Sequence, residues 1–241
     1  MAELSSSHAL RIAALGHRVI SPKTRDAVAG AVTHILAAVR EGALRPDGPD
    51  LVVISPLAQG ADQVVAGAGL ELGYQLQALL PGPQSDYEKT FDLGETDAEI
   101  AVFRGLLDHA RQGHGAEELN GDLRGEESRN RAFLHCADVM IRKSDMVLAI
   151  LSADRWESHT GQSARAAIAL GLPLLVIDPA MPDRPLLYRK EAVTAATAAI
   201  VTQTVRELID RRFPDDLARA KSALAAKTAL TSGAALAMAA E

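Results

Sequence analysis

The stretch Leu10–Ser21, read LRIAALGHRVIS, decides the fold class. An apolar run ends at Gly16, His17 and Arg18 follow at once, and a helical pattern opens at Ser21. A buried strand that passes through a glycine-containing turn into a helix is the opening unit of nucleotide-binding α/β folds. The stretch therefore predicts an α/β fold whose first turn is a candidate ligand site.

The residues of this turn have two interpretations. Gly16 lets the backbone approach a ligand closely, and the helix that follows offers unpaired N–H groups to an anion. Arg18 adds a forked cationic donor that suits phosphate. An ordinary strand-to-helix turn with a surface arginine has the same residues, and the stretch matches neither GxGxxG nor a Walker loop. The turn alone leaves both interpretations open.

The composition limits the classes of protein. A chain of 241 residues without an obvious repeat suits one α/β domain with an appendage, or at most two small domains. The hydrophobic share of 48% provides for a large core. The net charge is −6 and there is no basic run, so we expect no nucleic acid as a partner. A small anionic ligand remains compatible, because a local pocket can be positive on an acidic protein.

The single cysteine, Cys136, rules out a disulfide framework and fits a reducing cytosol. Residues 1–9 are short and polar, unlike a signal peptide. No window reaches about 18 unbroken, strongly apolar residues, which is the length that a membrane-spanning helix needs. We therefore expect a cytoplasmic protein without a membrane span.

Four further apolar runs alternate with helical patterns along the chain. This alternation predicts a Rossmann-like, doubly wound and mainly parallel sheet with helices on both faces. In such sheets the ligand lies at the carboxyl ends of the strands, where the strand order reverses. The usual order places the first strand beside the fourth. The runs after the first are Leu51–Ile54, Tyr74–Leu80, Asp145–Leu151 and Pro173–Asp178.

Three loops that follow strands should therefore meet. The loops Gly16–Ser21 and Ser152–Ser163 would face each other, and Gly60–Asp62 would adjoin them. Asp62 or Asp154 would accept hydrogen bonds from ribose hydroxyls. Asp62 also has a purely structural interpretation, because a carboxylate in the first turn of a helix is stabilised by the helix dipole.

The alternation of apolar runs with helical patterns stops after residue 180. Residues 1–180 form the predicted nucleotide-binding domain, and residues 181–241 form a predicted helical C-terminal extension. Within it, residues 188–212 read as mostly helical, and residues 215–241 are Ala-rich and helical by propensity. Earlier in the chain, Gly113–Gly125 carries four glycines and predicts a long loop, either a lid or a tolerated insertion.

No metal or nucleophile chemistry stands out. The seven histidines are scattered without HxxxH or HExxH spacing, and His135-Cys136 lacks further ligands at zinc spacing. No Ser or Cys nucleophile with an orienting acid is visible. We therefore expect no bound metal and no cofactor. Trp156 follows the fourth strand and either stacks on a base or caps the core.

Four segments carry a resemblance to a known family. The turn Leu15–Arg18 resembles the GHR turn of the SLOG superfamily, which joins the DNA-processing protein Smf and the lonely-guy phosphoribohydrolases. Leu57–Asp62 resembles its L-A-x-G-A-D segment, and Ser144–Ile150 resembles its S-D-x-L-I-A strand. Leu80–Pro83, with Tyr and Phe downstream, resembles its L-P-x-P…Y…F segment. The resemblance spans about residues 10–180 and implies a fold that binds nucleotides or their derivatives, often as a sensor.

Two departures from the family pattern bear on activity. The family's Gly-Gly-Thr turn after the fourth strand is reduced here to Thr160–Ser163, with one glycine left. The phosphoribohydrolases carry PGGxGTxxE, whose glutamate serves catalysis, whereas Ser163–Ala167 holds no acid. The resemblance therefore favours binding over hydrolysis, and we do not expect an enzyme.

The sequence predicts a cytosolic binding or sensor module for a nucleotide or an ADP-ribose-type ligand. One alternative is a phosphoribohydrolase or another N-glycosidic hydrolase, and a second is an assembly scaffold with a vestigial pocket. The expected partners are a small nucleotide-like ligand and either a second copy of the chain or a fused or partnered effector. The candidate ligand residues, with phosphate assigned to Gly16, Arg18 and residues 160–163, are Gly16, His17, Arg18, Gly60, Ala61, Asp62, Pro81, Asp154, Thr160, Gly161, Gln162 and Ser163.

Overall fold

A computed structural model describes residues 8–45, 48–91, 98–190 and 192–214. These residues form one eight-stranded sheet in the order β4-β3-β2-β1-β5-β6-β7-β8. The strands β1 to β6 run parallel, and β7 and β8 are antiparallel. Their bounds are β1 Ala9–Gly16, β2 Asp50–Ser55, β3 Gln75–Leu80, β4 Ala116–Glu118, β5 Met146–Ile150, β6 Leu174–Ile177, β7 Leu186–Arg189 and β8 Ala192–Ala195.

Helices connect the strands and cover both faces of the sheet. Ser21 caps the first of them by accepting the Lys23 amide at 3.3 Å, with Pro22 at its first position. The helices are α1 Pro22–Ala43, α2 Ala61–Glu71, α3 Gln84–Glu88, α4 Ala98–Gln112, α5 Glu126–Arg142, α6 His159–Ala169 and α7 Ala198–Arg212, and a short 3₁₀ turn spans Ala153–Arg155.

Alternate residues of the central strands pack into two hydrophobic layers, one on each face of the sheet. Ile12 of β1 packs in the layer with α1, α2, α4 and α7, whereas Ala13 packs in the layer with α5 and α6. All of β5 is buried, which is why it reads as an unbroken apolar run rather than an alternating one. The predicted Rossmann-like arrangement, with helices on both faces, is confirmed.

The strand order reverses between β1 and β5. Strand β1 pairs in parallel with β2 on one side and with β5 on the other, and Gly16 lies level with Ile150. The predicted adjacency of the first and fourth apolar runs is therefore confirmed. The carboxyl ends of both strands open on the same edge of the sheet.

Two short strands differ from the sequence expectation. Strand β8 lies where residues 188–212 predict helix, and β7 and β8 extend the sheet across residue 180. The helical prediction is wrong here because a four-residue strand is too short to show alternation, while pairing of β8 with β7, and of β7 with β6, supplies the stabilisation. Helix α7 follows and packs on α1 at Gly42. The domain boundary at residue 180 remains a prediction, and residues 215–241 lie outside the described residues.

The glycine-rich segment Gly113–Gly125 is also more structured than predicted. Strand β4 lies within it and pairs in parallel with β3. The Gly121 amide donates to the Pro81 carbonyl at 3.1 Å. Two of the three β4 residues are glutamates, so the sequence gives no apolar signal for this edge strand. In the part of the chain that the structure describes, no helix is long and apolar enough to cross a membrane.

The turn after β1 lies against the start of α2, and a backbone hydrogen bond joins the two. The Ala61 amide donates to the His17 carbonyl at 3.1 Å. A Cβ at Gly16 would collide with the Cβ of Ala61. Gly60 has a φ of +84°, and a Cβ there would collide with the Arg18 carbonyl. Both positions therefore require glycine.

We predict opposite effects of the same substitution at two glycines beside and within α2. Gly60→Ala should destabilise the protein by at least about 1–3 kcal/mol from backbone strain, with the carbonyl contact adding to it. Gly67→Ala should stabilise it by about 0.5–1 kcal/mol, because its surroundings are open. Denaturant unfolding measures both, and equal effects would contradict this close approach.

Candidate functional site

A cavity of about 370 Å³ opens at the carboxyl edge of the sheet. Its walls come from the turn after β1, the loop after β2, α3, α5 and the start of α6. The volume lies in the range of small-molecule sites. The cavity is therefore where the strand order and the sequence both predict a ligand.

The structure brings together seven of the twelve candidate residues. Gly60 and Ala61 lie directly behind the cavity, where they hold the turn after β1. Asp154 and Gln162 are exposed and outside the lining, and Gly161 is buried but outside it. Contact of any of these with a ligand stays a prediction. The seven that line the cavity are Gly16, His17, Arg18, Asp62, Pro81, Thr160 and Ser163.

Arg18 is fixed by the segment that follows β3. Its Nη1 donates to the Thr90 carbonyl at 2.6 Å, and its Nη2 donates to Thr90 Oγ1 at 3.2 Å. The guanidinium carbon lies 4.7 Å from the ring centroid of Phe133 and 6.0 Å from those of Tyr87 and Phe91. Such contacts orient a cation and add stability. Arg18 is thus a packed residue of the cavity wall rather than a free surface arginine.

Asp62 is a buried carboxyl group in the first turn of α2. It is 5% exposed, and its Oδ1 has no hydrogen-bond partner. Burial raises the pKa of Asp62 to about 8, against the opposing effects of the Arg18 charge and a backbone hydrogen bond from Ala58. The preceding Leu57 has a φ of +58°, which is strained for a leucine and shapes this loop. Asp62 is therefore mainly neutral at pH 7.

His17 is a second unpaired polar group in the same cavity. Its Nε2 is buried without a hydrogen-bond partner. Burial lowers the pKa of His17, the positive charge of Arg155 lowers it further, and the negative charge of Asp154 opposes them. The imidazole is therefore neutral at pH 7. Buried polar atoms in native proteins are normally satisfied, so two orphans in one cavity indicate a place for a ligand or for water.

The start of α6 supplies backbone donors to the cavity. Ser158 Oγ accepts the Gly161 amide at 3.3 Å, and the Ser158 carbonyl accepts the Gln162 amide at 2.8 Å. The first-turn amides of His159 and Thr160 have no acceptor within the helix. An anion at this helix start would therefore meet His159 and Thr160 rather than the capped Gly161.

Gly161 has a packing role that the sequence did not reveal. A Cβ at this position would collide with the backbone of Trp156. The Trp156 ring packs against Tyr188, with 5.4 Å between centroids, so it caps the core outside the cavity. Thr160 Oγ1 donates to the Gly16 carbonyl at 3.4 Å, which joins α6 to the turn after β1. The predicted meeting of these two loops is confirmed.

One face of α5 was missed by the sequence analysis. Asn130, Phe133, Leu134 and Ala137 line the cavity at the spacing of a single helix face. Tyr87 lines it from α3. The sequence-based prediction considered only the loops after the strands. The helical spacing of Asn130 and the apolar residues that follow it could have indicated this wall.

The described residues offer little for metal or thiol chemistry. Among them no group of His, Cys, Asp and Glu could hold a metal ion. Cys136 lies in the wall and donates to the Leu79 carbonyl at 3.2 Å. Burial raises the pKa of the Cys136 thiol, so a reactive thiolate is disfavoured.

We predict that Asp62 makes stability depend on pH. Its pKa is higher in the folded state than in the unfolded chain, so unfolding releases a proton between about pH 4 and 8. The stability contributed by a neutral Asp62 should be fully present below about pH 4 and should fall as pH rises toward 8, by up to about 1.4 kcal/mol per unit. Asp62→Asn should flatten this slope in denaturant melts at several pH values. A slope unchanged by the substitution would contradict a neutral Asp62.

Comparison with known proteins bears on the fold. No protein-family model and no curated protein matches the chain. DNA processing protein A (DprA) from Streptococcus pneumoniae is similar, with 16% identity and a TM-score of 0.46 over 71% of this chain and 51% of that one. DprA from Helicobacter pylori has 17% identity and a TM-score of 0.46 over 86% and 82%. TM1055 has 16% identity and a TM-score of 0.40 over 68% and 72%. The chain spans about half the length of the S. pneumoniae protein.

The expectation that nucleic acid is no partner is wrong. The structure of the H. pylori protein is described by its single-stranded DNA binding mode, so a protein of similar fold binds nucleic acid. The net charge of the whole chain was a poor guide because binding depends on the local field at the site. An overall charge of −6 therefore does not exclude this class of partner.

The four motifs that resemble the SLOG superfamily all lie on or directly after parallel strands of the sheet. Each motif lies where the resemblance requires it: three follow β1, β2 and β3, and the fourth leads into β5. Two of the similar solved structures are DNA processing proteins. The chain has a Rossmann-like α/β fold with a mainly parallel sheet.

Proposed function

We propose that the chain is a binding module for a nucleotide or a nucleotide-derived ligand of the ADP-ribose type. One observation carries the proposal: the cavity at the reversal of strand order combines a helix start with two unpaired buried polar groups. The ligand would displace water from these groups. A sensor role, a cytoplasmic location and assembly with a second copy or an effector belong to the same proposal.

The walls suggest how such a ligand would lie. A phosphate would accept hydrogen bonds from the free amides of His159 and Thr160, where the helix dipole favours an anion. Phe133, Leu134 and Met140 form an apolar wall that suits a flat base. Arg18, held in the same wall, adds a positive charge that favours an anionic ligand.

Binding is the first candidate because the acid that hydrolysis would need is missing from α6. Residues 163–167 carry no carboxylate. Hydrolysis of an N-glycosidic bond is the second candidate, and it is favoured by the neutral acid Asp62 and the neutral base His17 in one cavity. Release of free base from AMP or NAD separates the two candidates.

We predict that a nucleotide stabilises the protein in a thermal-shift screen. The probes are AMP, NAD, ADP-ribose, cyclic ADP-ribose and a short single-stranded DNA oligonucleotide. A ligand at 100 times its Kd should add about 2.7 kcal/mol. A DNA response without any nucleotide response would replace the proposed ligand class, and an empty screen would favour a scaffold.

A cavity-filling variant tests the location. Ala137→Phe places a ring in the cavity from α5 and should reduce affinity for the responding nucleotide by at least about tenfold, equivalent to 1.4 kcal/mol. His135→Phe, on the exposed side of the same helix, should leave affinity unchanged. Circular dichroism confirms the fold of both variants. Equal affinity of the two would contradict binding in this cavity.

A further inference from the structure

The hydrogen bonds of Asp62 do not suit an ionised carboxylate. An ionised carboxylate only accepts, and it offers about four acceptor positions. Asp62 is 5% exposed and has a backbone hydrogen bond from Ala58, whereas its Oδ1 meets no donor. A buried charge with so few donors is strongly disfavoured. A neutral acid, by contrast, has a hydroxyl, and at Oδ1 of this cavity-lining residue no protein acceptor takes it up.

The charged and titratable groups that face Asp62 support the neutral form. Arg18 approaches from the turn after β1, but two of its donors are directed to Thr90. A side-chain hydrogen bond joins it to Tyr87, and its guanidinium lies over the Phe133 ring. Tyr87 of α3 and Cys136 of α5 face the same carboxyl, and burial raises the pKa of each, so both are uncharged. No ion pair with Asp62 occurs within residues 8–45, 48–91, 98–190 and 192–214. Arg18 therefore moderates the charge without pairing with it.

We propose that Asp62 enters the ligand complex as a neutral carboxylic acid and donates a hydrogen bond from Oδ1 to a ligand atom without hydrogen. A phosphate oxygen and an unprotonated ring nitrogen share this chemistry. The inference rests on the proposed function, since it concerns the same cavity. It reverses the sequence expectation that Asp62 accepts hydrogen bonds from ribose hydroxyls.

The neutral form determines which ligands the cavity tolerates. An ionised Asp62 would repel an anion, whereas its hydroxyl gives an anionic oxygen a short, charge-assisted hydrogen bond. Burial raises the pKa of Asp62 to about 8, so the donor is present at pH 7 and is lost as pH rises further. Ligand affinity should then be flat up to about pH 7 and fall about tenfold per pH unit well above pH 8.

The test is titration calorimetry with AMP and with adenosine between pH 6.5 and 9.5. In buffers of different ionisation enthalpy, the wild type should take up about half a proton near pH 8 with a probe that Asp62 contacts. It should take up almost none at pH 6.5 with adenosine, which lacks the phosphate that titrates near pH 6. Burial lowers the pKa of His17, so this imidazole is not the source of proton uptake near pH 8. Proton uptake with both probes assigns the acceptor to the nucleoside, and uptake with AMP alone assigns it to the phosphate.

Asp62→Asn is the matched variant, because its amide donates at every pH. It should bind AMP within about threefold of the wild type at pH 7 and keep that affinity at pH 9. Asp108→Asn, an exposed carboxylate on α4, should keep the wild-type pH profile. The pH measurements on the wild type keep the test decisive even if Asp62→Asn folds poorly.

Three results overturn the inference. Affinity for adenosine that rises with pH, release of protons near pH 7 with adenosine, which has no group titrating there, or a loss of more than tenfold in a folded Asp62→Asn protein would each mean that Asp62 binds as an ionised acceptor. These results leave the proposed function intact. Absence of AMP and adenosine binding to the folded wild type at pH 7 would instead reject mononucleotides, and this inference would fall with them.

Discussion

The site depends on one backbone contact between the turn after β1 and the start of α2. The Ala61 amide donates to the His17 carbonyl, and the absence of side chains at Gly16 and Gly60 lets the two segments meet. This contact brings the ends of β1 and β2 to the same cavity. Because it consists of backbone and two glycines, the side chains of His17 and Asp62 remain free to line the cavity.

The second feature of the site is the separation of its cation from its acid. Arg18 is held by Thr90 and Phe133, so it connects the segment after β3 to the turn after β1 without pairing with Asp62. The acid is left neutral, so the Arg18 charge in the cavity wall is not cancelled by Asp62, although the chain is acidic overall. Net charge is a weak guide to partners because a local field can differ in sign from the whole chain.

The parallel core could be predicted from sequence because its strands are buried on both faces and therefore read as apolar runs, as β5 does. The meeting of the loops at the carboxyl ends of these strands could be predicted from the strand order. Strands β4 and β8 gave no such signal, since one holds two glutamates and the other is four residues long. Side-chain partners were beyond a sequence pattern: the Thr90 contact of Arg18 and the packing of Gly161 on Trp156 depend on tertiary placement. The α5 wall could have been found from the helical spacing of Asn130 and Phe133.

Amide chemical shifts on titration with AMP test the cavity as a ligand site most directly. If the ligand lies between the turn after β1 and the start of α6, the largest changes should fall on residues 16–18, Asp62, His159 and Thr160. The amides of β8, such as Val193, should stay unchanged because this edge strand lies beyond the cavity lining. Changes concentrated on β7, β8 and α7, with the cavity amides unmoved, would contradict a ligand site at the reversal of strand order.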